Sequence, residues 1–259
     1  MRKALLPDDH EQDGPMLEGL YSAAAGMSAQ QEQLDAISND LANLSTSGYK
    51  SERVAFKDLL YNPVNIAGTV TTAGSGSSAQ VIGRSESQGA IAETGDPLNM
   101  AIEGPGYFEV TLASGQKALT RNGDFGVDAS GTITNAEGNR LSPPIKLPAG
   151  VSPGEVSISS DGTVTAGARK LGQVKLVTVT SPEHLLADGS GTLTPTKASG
   201  APHPATGKIH QGALEGSNVN MASEMADMVS TQRAYQMNST AIQDESQMMS
   251  IANQLRPPS

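Results

Sequence analysis

Apolar side chains recur along residues 17–44 in alternating steps of three and four. Leu20, Met27, Leu34 and Leu41 stand seven apart, and Ala23, Gln30, Ile37 and Leu44 form a second series offset by three. This spacing places both series on one face of a helix, as in a coiled-coil seam. Such a helix reaches about 40 Å, and with one narrow apolar stripe it needs a partner helix. Ala23, Ala24, Ala25 and Gly26 give it a small-residue stretch where a neighbour can approach closely. The same alternation returns from about 221 to 255, in Met225, Met228, Gln232, Tyr235, Ser239, Ile242, Ser246 and Met249. This second seam is richer in polar residues and in methionine, which fills irregular gaps. Asn218 and Asn220 precede it as candidate caps, and Pro257-Pro258 bars its continuation.

Between the two helical patterns the period changes. The first helix is expected to stop near Leu44, before Ser45-Thr46-Ser47 and Gly48, which takes a left-handed backbone at little cost. Val54 to Tyr61 carries apolar side chains, Phe56 among them, that can anchor this turn on a neighbour. Residues 62–90 lack a pattern and read as a linker, with 69–78 small and polar throughout. From 91 to 212 short apolar runs alternate with turn residues. Tyr107 to Leu112, Phe125 to Val127, Thr132 to Thr134, Val156 to Ile158 and Thr163 to Thr165 read as strands. Asn122-Gly123 reads as a tight turn, Gly172 to Val179 as the longest strand, and 182–212 as loops with one or two strands. The connections are too short for crossover helices, so the strands pair antiparallel. The predicted fold is α+β: long N- and C-terminal helices packed as a coiled coil, with a central, mainly antiparallel β domain. The predicted organisation is a tail at 1–15, a core helix and turn at 16–61, a linker at 62–90, the β domain at 91–212, a core helix at 213–255 and a tail at 256–259.

Composition narrows the function. The 28 glycines and 15 prolines suit a turn-rich centre. Aromatic residues make up 3% of the chain and there is no tryptophan, too few for stacking on single-stranded nucleic acid. The formal net charge of -10 repels a phosphate backbone. No cysteine is present, which removes disulfides, thiolate nucleophiles and cysteine metal sites. The basic start lacks the apolar run of a secretory signal peptide, and no segment reaches the 18 or so apolar residues of a membrane span.

Groups that converge for chemistry are scarce. His10, His184, His203 and His210 lack metal-ligand spacing. Asp96 and Glu103 are two carboxylates that nothing in the sequence brings to a defined separation. Gly104-Pro105-Gly106 is no phosphate loop, and Asp124 to Asp128 lacks the ligand spacing of a calcium loop. Arg121 is expected to pair with Glu109 or Asp124. No catalytic, cofactor-binding or metal-binding residue is therefore assigned. What stands out instead is the density of amides and hydroxyls at the inner ends of both helices: Asn39, Asp40, Asn43, Ser45, Thr46 and Ser47, then Ser217, Asn218 and Asn220. Such groups satisfy loose backbone donors and acceptors, and here they point to packing and assembly.

The same residues carry a resemblance. Ile37 to Tyr61 (ISNDLANLSTSGYKSERVAFKDLLY) and Ser217 to Met249 (SNVNMASEMADMVSTQRAYQMNSTAIQDESQMM) are similar to the N- and C-terminal signatures of the bacterial flagellar rod and hook family. Met100 to Val110 and Leu119 to Gly131 resemble its central β segment. The resemblance spans residues 17–255 in order. Gln232-Arg233-Ala234-Tyr235 followed by Asn238 is most similar to members forming the distal rod, and the short centre excludes a typical hook protein. Asp40 stands where the resemblance calls for a second asparagine, and 62–90 is shorter than in typical distal members. The resemblance implies a non-enzymatic subunit without cofactors, self-associating into a helical tube that transmits motor torque to the hook. It implies other rod proteins and the hook protein as partners. It also implies flagellar type III export to the basal body, outside the cytoplasmic membrane. A proximal rod subunit and a β-rich binding or adhesion module on a helical stalk are the alternatives. Leu20, Met27, Leu34, Ile37, Asn39, Leu41, Asn43, Leu44, Gly48, Phe56, Asn218, Asn220, Met225, Met228, Gln232, Tyr235, Ile242 and Met249 are the expected assembly residues.

Overall fold

The structure, a computed structural model, describes residues 13–59, 61–66, 69–74, 76–189 and 191–255, without the side chains of 13–18, 61–73, 252, 253 and 255. Of the expected tails at 1–15 and 256–259, residues 1–12 and 256–259 lie outside the described residues, and 13–15 belong to the first turn of a helix instead. A long helix α1 (Asp13–Ala42) opens the described chain and a longer α2 (Met221–Leu255) closes it. Pro15 falls in the first turn of α1, where no intrahelical N–H is needed.

Four strands follow α1: β1 (Glu52–Asp58), β2 (Tyr61–Ile66), β3 (Thr69–Gly74) and β4 (Ser77–Arg84). β1 pairs with β4, and β2 with β3 in antiparallel register from Tyr61↔Gly74 to Ile66↔Thr69. The patternless stretch after residue 61 thus forms strands. Next come β5 (Ile91–Glu93), β6 (Met100–Glu103), β7 (Tyr107–Thr111), β8 (Lys117–Thr120), β9 (Phe125–Val127), β10 (Ile133–Asn135) and β11 (Arg140–Leu141). They are followed by β12 (Val156–Ile158), β13 (Thr163–Ala166), β14 (Arg169–Gln173), β15 (Leu176–Thr178) and β16 (Leu186–Ala187). The last are β17 (Thr192–Thr194), β18 (His203–Pro204), β19 (Lys208–Gln211) and β20 (Ala213–Glu215).

The chain divides into two compact units. One holds residues up to 38, 54–81 and from 222 onward. Here α1 and α2 lie side by side and antiparallel. Gly19 faces the carboxylate of Glu245, and Gly26 faces the amide of Asn238. On another side of α1, Gly76 at the start of the β4 arm abuts Ser22 and Ala25. The small-residue stretch of α1 serves both approaches.

The second unit holds 39–53 and 82–221. Its largest sheet runs β16-β17-β8-β7-β11-β10-β9, with β15 joining β7 and β18. β12, β13 and β14 form a separate meander. The main core gathers Met100, Ile102, Phe108, Val110, Ile133, Leu141, Ile145 and Val164, with Phe108 and Phe125 edge to face at 5.3 Å. Tyr107, Leu119, Val179 and Leu185 form a second cluster. Alternate residues of β7 therefore serve different clusters, as a period of two requires. At the neck of the unit, β6 pairs with β19 and β5 with β20, so the strands leading into and out of the β region run antiparallel.

Three local readings of the sequence change. Asn122-Gly123 does not close a hairpin: β8 pairs with β7 and β17, while β9 pairs with β10. Gly123 is needed because its backbone meets that of Met100, whose N–H donates to the Gly123 carbonyl at 3.0 Å, leaving no room for a Cβ. The run 172–179 is two strands, broken where the Val174 N–H donates to Gly162 O at 2.8 Å and its side chain enters the core. Residues 182–212 contribute four short strands rather than one or two.

Candidate functional site

Where α1 ends, its loose carbonyls are collected by the following turn. Asn43 N–H donates to Asn39 O and Asp40 O, both at 3.1 Å, and Asn43 Nδ2 donates again to Asn39 O at 2.9 Å. Thr46 Oγ1 donates to Asn43 Oδ1 at 3.1 Å. Gly48 then adopts φ +71°, and a Cβ there would collide with the Arg121–Asn122 peptide. Glycine is required twice over at this position, for its backbone angle and for the space.

Asp40 staples the turn to the strand beyond it. Its Oδ1 accepts the Tyr49 hydroxyl at 2.8 Å and the Glu52 N–H at 3.0 Å. Asn39 Nδ2 adds a bond to Glu52 Oε1 at 3.2 Å. Burial raises the Asp40 carboxyl above the usual carboxylate range, against the opposing pull of the Glu52 N–H and the Tyr49 hydroxyl. Burial and the neighbouring Asp40 also push the Tyr49 phenol up.

Beside this turn lies a buried ionic clasp. Glu215, on β20, is fully buried. Its Oε1 accepts Lys50 Nζ at 2.7 Å and Gly89 N–H at 2.9 Å, and its Oε2 accepts Arg121 Nε at 2.5 Å. Lys50 also donates to Ser87 O at 2.7 Å. The remaining Arg121 donors reach the carbonyls of Gly106, Ile102 at 3.2 Å and Gly104 at 2.8 Å. Gly48 N–H donates to Glu215 O at 2.8 Å. One carboxylate thus holds the segment leaving α1, the loop before β5, the end of β8 and the segment leading to α2. Removing both cations from water is tolerable because, besides the carboxylate, Lys50 donates to one backbone carbonyl and Arg121 to three. Arg121 does not pair with Glu109 or Asp124 as expected; Glu109 takes Lys117 at 2.8 Å and Ser142 Oγ at 2.6 Å instead.

Asn218 completes the junction. Its Oδ1 accepts Ser51 N–H at 2.8 Å, and its Nδ2 donates to Ser87 O and Oγ, both at 3.0 Å, and to Ser85 O at 3.2 Å. Its own N–H donates to Tyr49 O at 3.3 Å. A recess of about 270 Å³ opens beside the clasp, lined by Lys50, Glu86, Gln88, Gly104, Pro105, Tyr107 and Arg121. The Tyr107 hydroxyl there is bonded to Glu86 at 2.9 Å and the cations are committed to the clasp, so the recess presents no free nucleophile or base. Among the described residues no cluster of His, Asp or Glu is arranged to hold a metal ion, and no helix is long and apolar enough to cross a membrane.

The expected assembly residues fall into four places. Asn39, Asn43, Gly48 and Asn218 meet at the junction. Leu20, Met27 and Leu34 on α1, and Met228, Ile242 and Met249 on α2, are half-buried in the helical unit, with Ile37 fully buried. Leu41 and Leu44 are half-buried where α1 ends. Phe56, Met225, Gln232, Tyr235 and Asn220 are exposed on the single chain. On α2, Asn238 and Glu245 are the residues that face α1, and Thr231, one heptad before Asn238, is buried. Sequence reasoning missed Lys50 and Glu215. Their one signal is a single charge beside each helix end, and sequence does not say that charges 165 residues apart meet.

Comparison with known proteins follows the same outline. A family described as flagella basal body rod protein matches residues 20–50. The flagellar hook protein FlgE/F/G D1 domain matches 101–166, and the flagellar basal body rod FlgEFG protein C-terminal matches 210–255. These segments carry Lys50, Arg121 and Glu215 respectively. A flagellar basal-body rod protein FlgG of Borreliella burgdorferi is 35% identical over 93% of this chain and 99% of its own length. One from Caulobacter vibrioides is 34% identical over 93% and 100%. A FlgF rod protein of Mesorhizobium japonicum is 28% identical over 85% and 90%.

Proposed function

Because the chain belongs to the flagellar basal-body rod family, as its FlgG relatives show, we propose that its junction is what lets it work as a load-bearing rod subunit. The protein is a structural, non-catalytic component of the distal rod, in the basal body outside the cytoplasmic membrane. Copies self-associate into a tube and meet other rod proteins and the hook protein. Torque delivered to the terminal helices must reach the β region, and the Lys50–Glu215–Arg121 clasp is the observation that carries this reading. It ties the segment leaving α1 and the segment leading to α2 to one buried carboxylate, so neither can shift independently. The exposed Met225, Gln232 and Tyr235, with Phe56 and Tyr21, supply contacts between copies; Tyr21 is 72% exposed. Similarity to FlgG rod proteins exceeds that to the FlgF protein and favours the distal over the proximal position.

The test is polymerisation of the purified chain followed by electron microscopy, with complementation of a strain lacking its own rod subunit. Tubes with buried terminal helices and restored motility are expected. A chain that stays monomeric at high concentration and leaves the strain non-motile overturns the reading.

A further inference from the structure

Glycine disfavours a helix interior more than any residue but proline, yet α1 carries Gly19 and Gly26 in its body. A Cβ on Gly26 would lie 2.9 Å from Asn238 Nδ2, and one on Gly19 would lie 2.6 Å from Glu245 Oε1. The glycines are seven residues apart, and so are the two polar residues, in reversed chain order. Each glycine is therefore a socket and each polar side chain a plug, repeated at one heptad. Asn238 and Glu245 are half-buried although both are poorly suited to an apolar seam. Polar residues inside a helix pair select one register at a cost in stability, because a slip takes at least one of them away from its open space.

We propose that the Gly26–Asn238 and Gly19–Glu245 pairs fix the antiparallel register of α1 and α2. Apolar stripes alone tolerate a slip of one heptad, since Leu20, Met27 and Leu34 repeat at that interval. The sockets remove that freedom: sliding α2 by seven toward the C-terminal end of α1 leaves Glu245 facing Gly26 and drives Asn238 against Gln33. The observed register also brings Gln30 opposite Ala234, both half-buried. The inference rests on this geometry and not on the rod reading.

The chain contains no cysteine, so introduced pairs report contact without background. In the full-length protein, Gln30→Cys with Ala234→Cys samples the observed register, and Gln30→Cys with Ala241→Cys samples the slipped one. Oxidative cross-linking within one chain is expected to favour the first pair at least ten-fold; equal yields overturn the proposal. Adding Gly26→Leu is expected to lower the first yield at least five-fold, while Ala24→Leu, at an exposed position, leaves it unchanged. An equal response to both leucines overturns it. Since Gly26→Leu can simply unfold the helix pair, Asn238→Ala is then combined with it. Recovery of the cross-link supports direct opposition of positions 26 and 238, and no recovery counts against it.

Discussion

Lys50 Nζ and Glu215 Oε1 meet at 2.7 Å across 165 residues of sequence, with both side chains withdrawn from solvent. A carboxylate shared between Lys50 and Arg121 is the point on which both helix ends depend. Glu215→Ala leaves two buried cations without their counterion and is expected to destabilise the β unit by about 3–5 kcal/mol. Lys50→Met leaves Glu215 with Arg121 and the Gly89 N–H, and is expected to cost less, about 1.5–3 kcal/mol. Denaturant unfolding of the three proteins gives the order. A milder loss for Glu215→Ala than for Lys50→Met would contradict the shared-carboxylate geometry.

Asn218 acts as an acceptor on one side and a donor on the other. Asn218→Ala strands the Ser51 N–H and the Ser85 carbonyl, at about 1–3 kcal/mol for each group left without a partner, while Ser87 O keeps Lys50 Nζ. Asn218→Asp keeps the acceptor for Ser51 but turns a carboxylate oxygen toward two carbonyls. It is expected to be at least as damaging as alanine near neutral pH. Amide exchange at Ser51 separates the two: faster in Asn218→Ala, protected in whatever fraction of Asn218→Asp remains folded.

Asp40 is expected to make stability depend on pH in the less common direction for a carboxylate. Burial raises its folded-state pKa above the ordinary 3.8, so in that window the folded chain holds more protons than the unfolded one. Stability from this group is then highest below 3.8 and falls as pH rises through the folded value. Asp40→Asn keeps an oxygen for Tyr49 and Glu52 and carries no charge to desolvate. Its melting temperature is expected to exceed the parent's by a few degrees at neutral pH, with the gap closing on acidification. A gap that widens toward low pH would refute this.

Phe108 is fully buried in the main cluster and edge to face with Phe125. Phe108→Ala is expected to cost about 3–5 kcal/mol. The loss should appear in the unfolding of the β unit while α1 and α2 keep their helical signal, since the two form separate compact units. Simultaneous loss of both signals at one midpoint would show that the units unfold together.

Periodicity by itself determined both helices, because an amphipathic stripe is a property of residues close in sequence. It placed α2 at 221–255 and ended α1 within two residues of Ala42. The antiparallel β centre followed from short connections, and the family from motifs in local order. Gly48 and the Asn39–Asn43 pair were also legible, since a turn after a helix has local chemistry.

Tertiary structure alone decided which distant groups meet. The partner of Arg121, the buried position of Glu215 and the close approach at Gly123 depend on chain segments far apart in sequence, whose encounter no local pattern encodes. The same holds for the face α2 turns to α1. The apolar spacing admits several rotations of a methionine-rich helix. The space left by Gly19 and Gly26 selects the one in which Asn238 and Glu245 point inward.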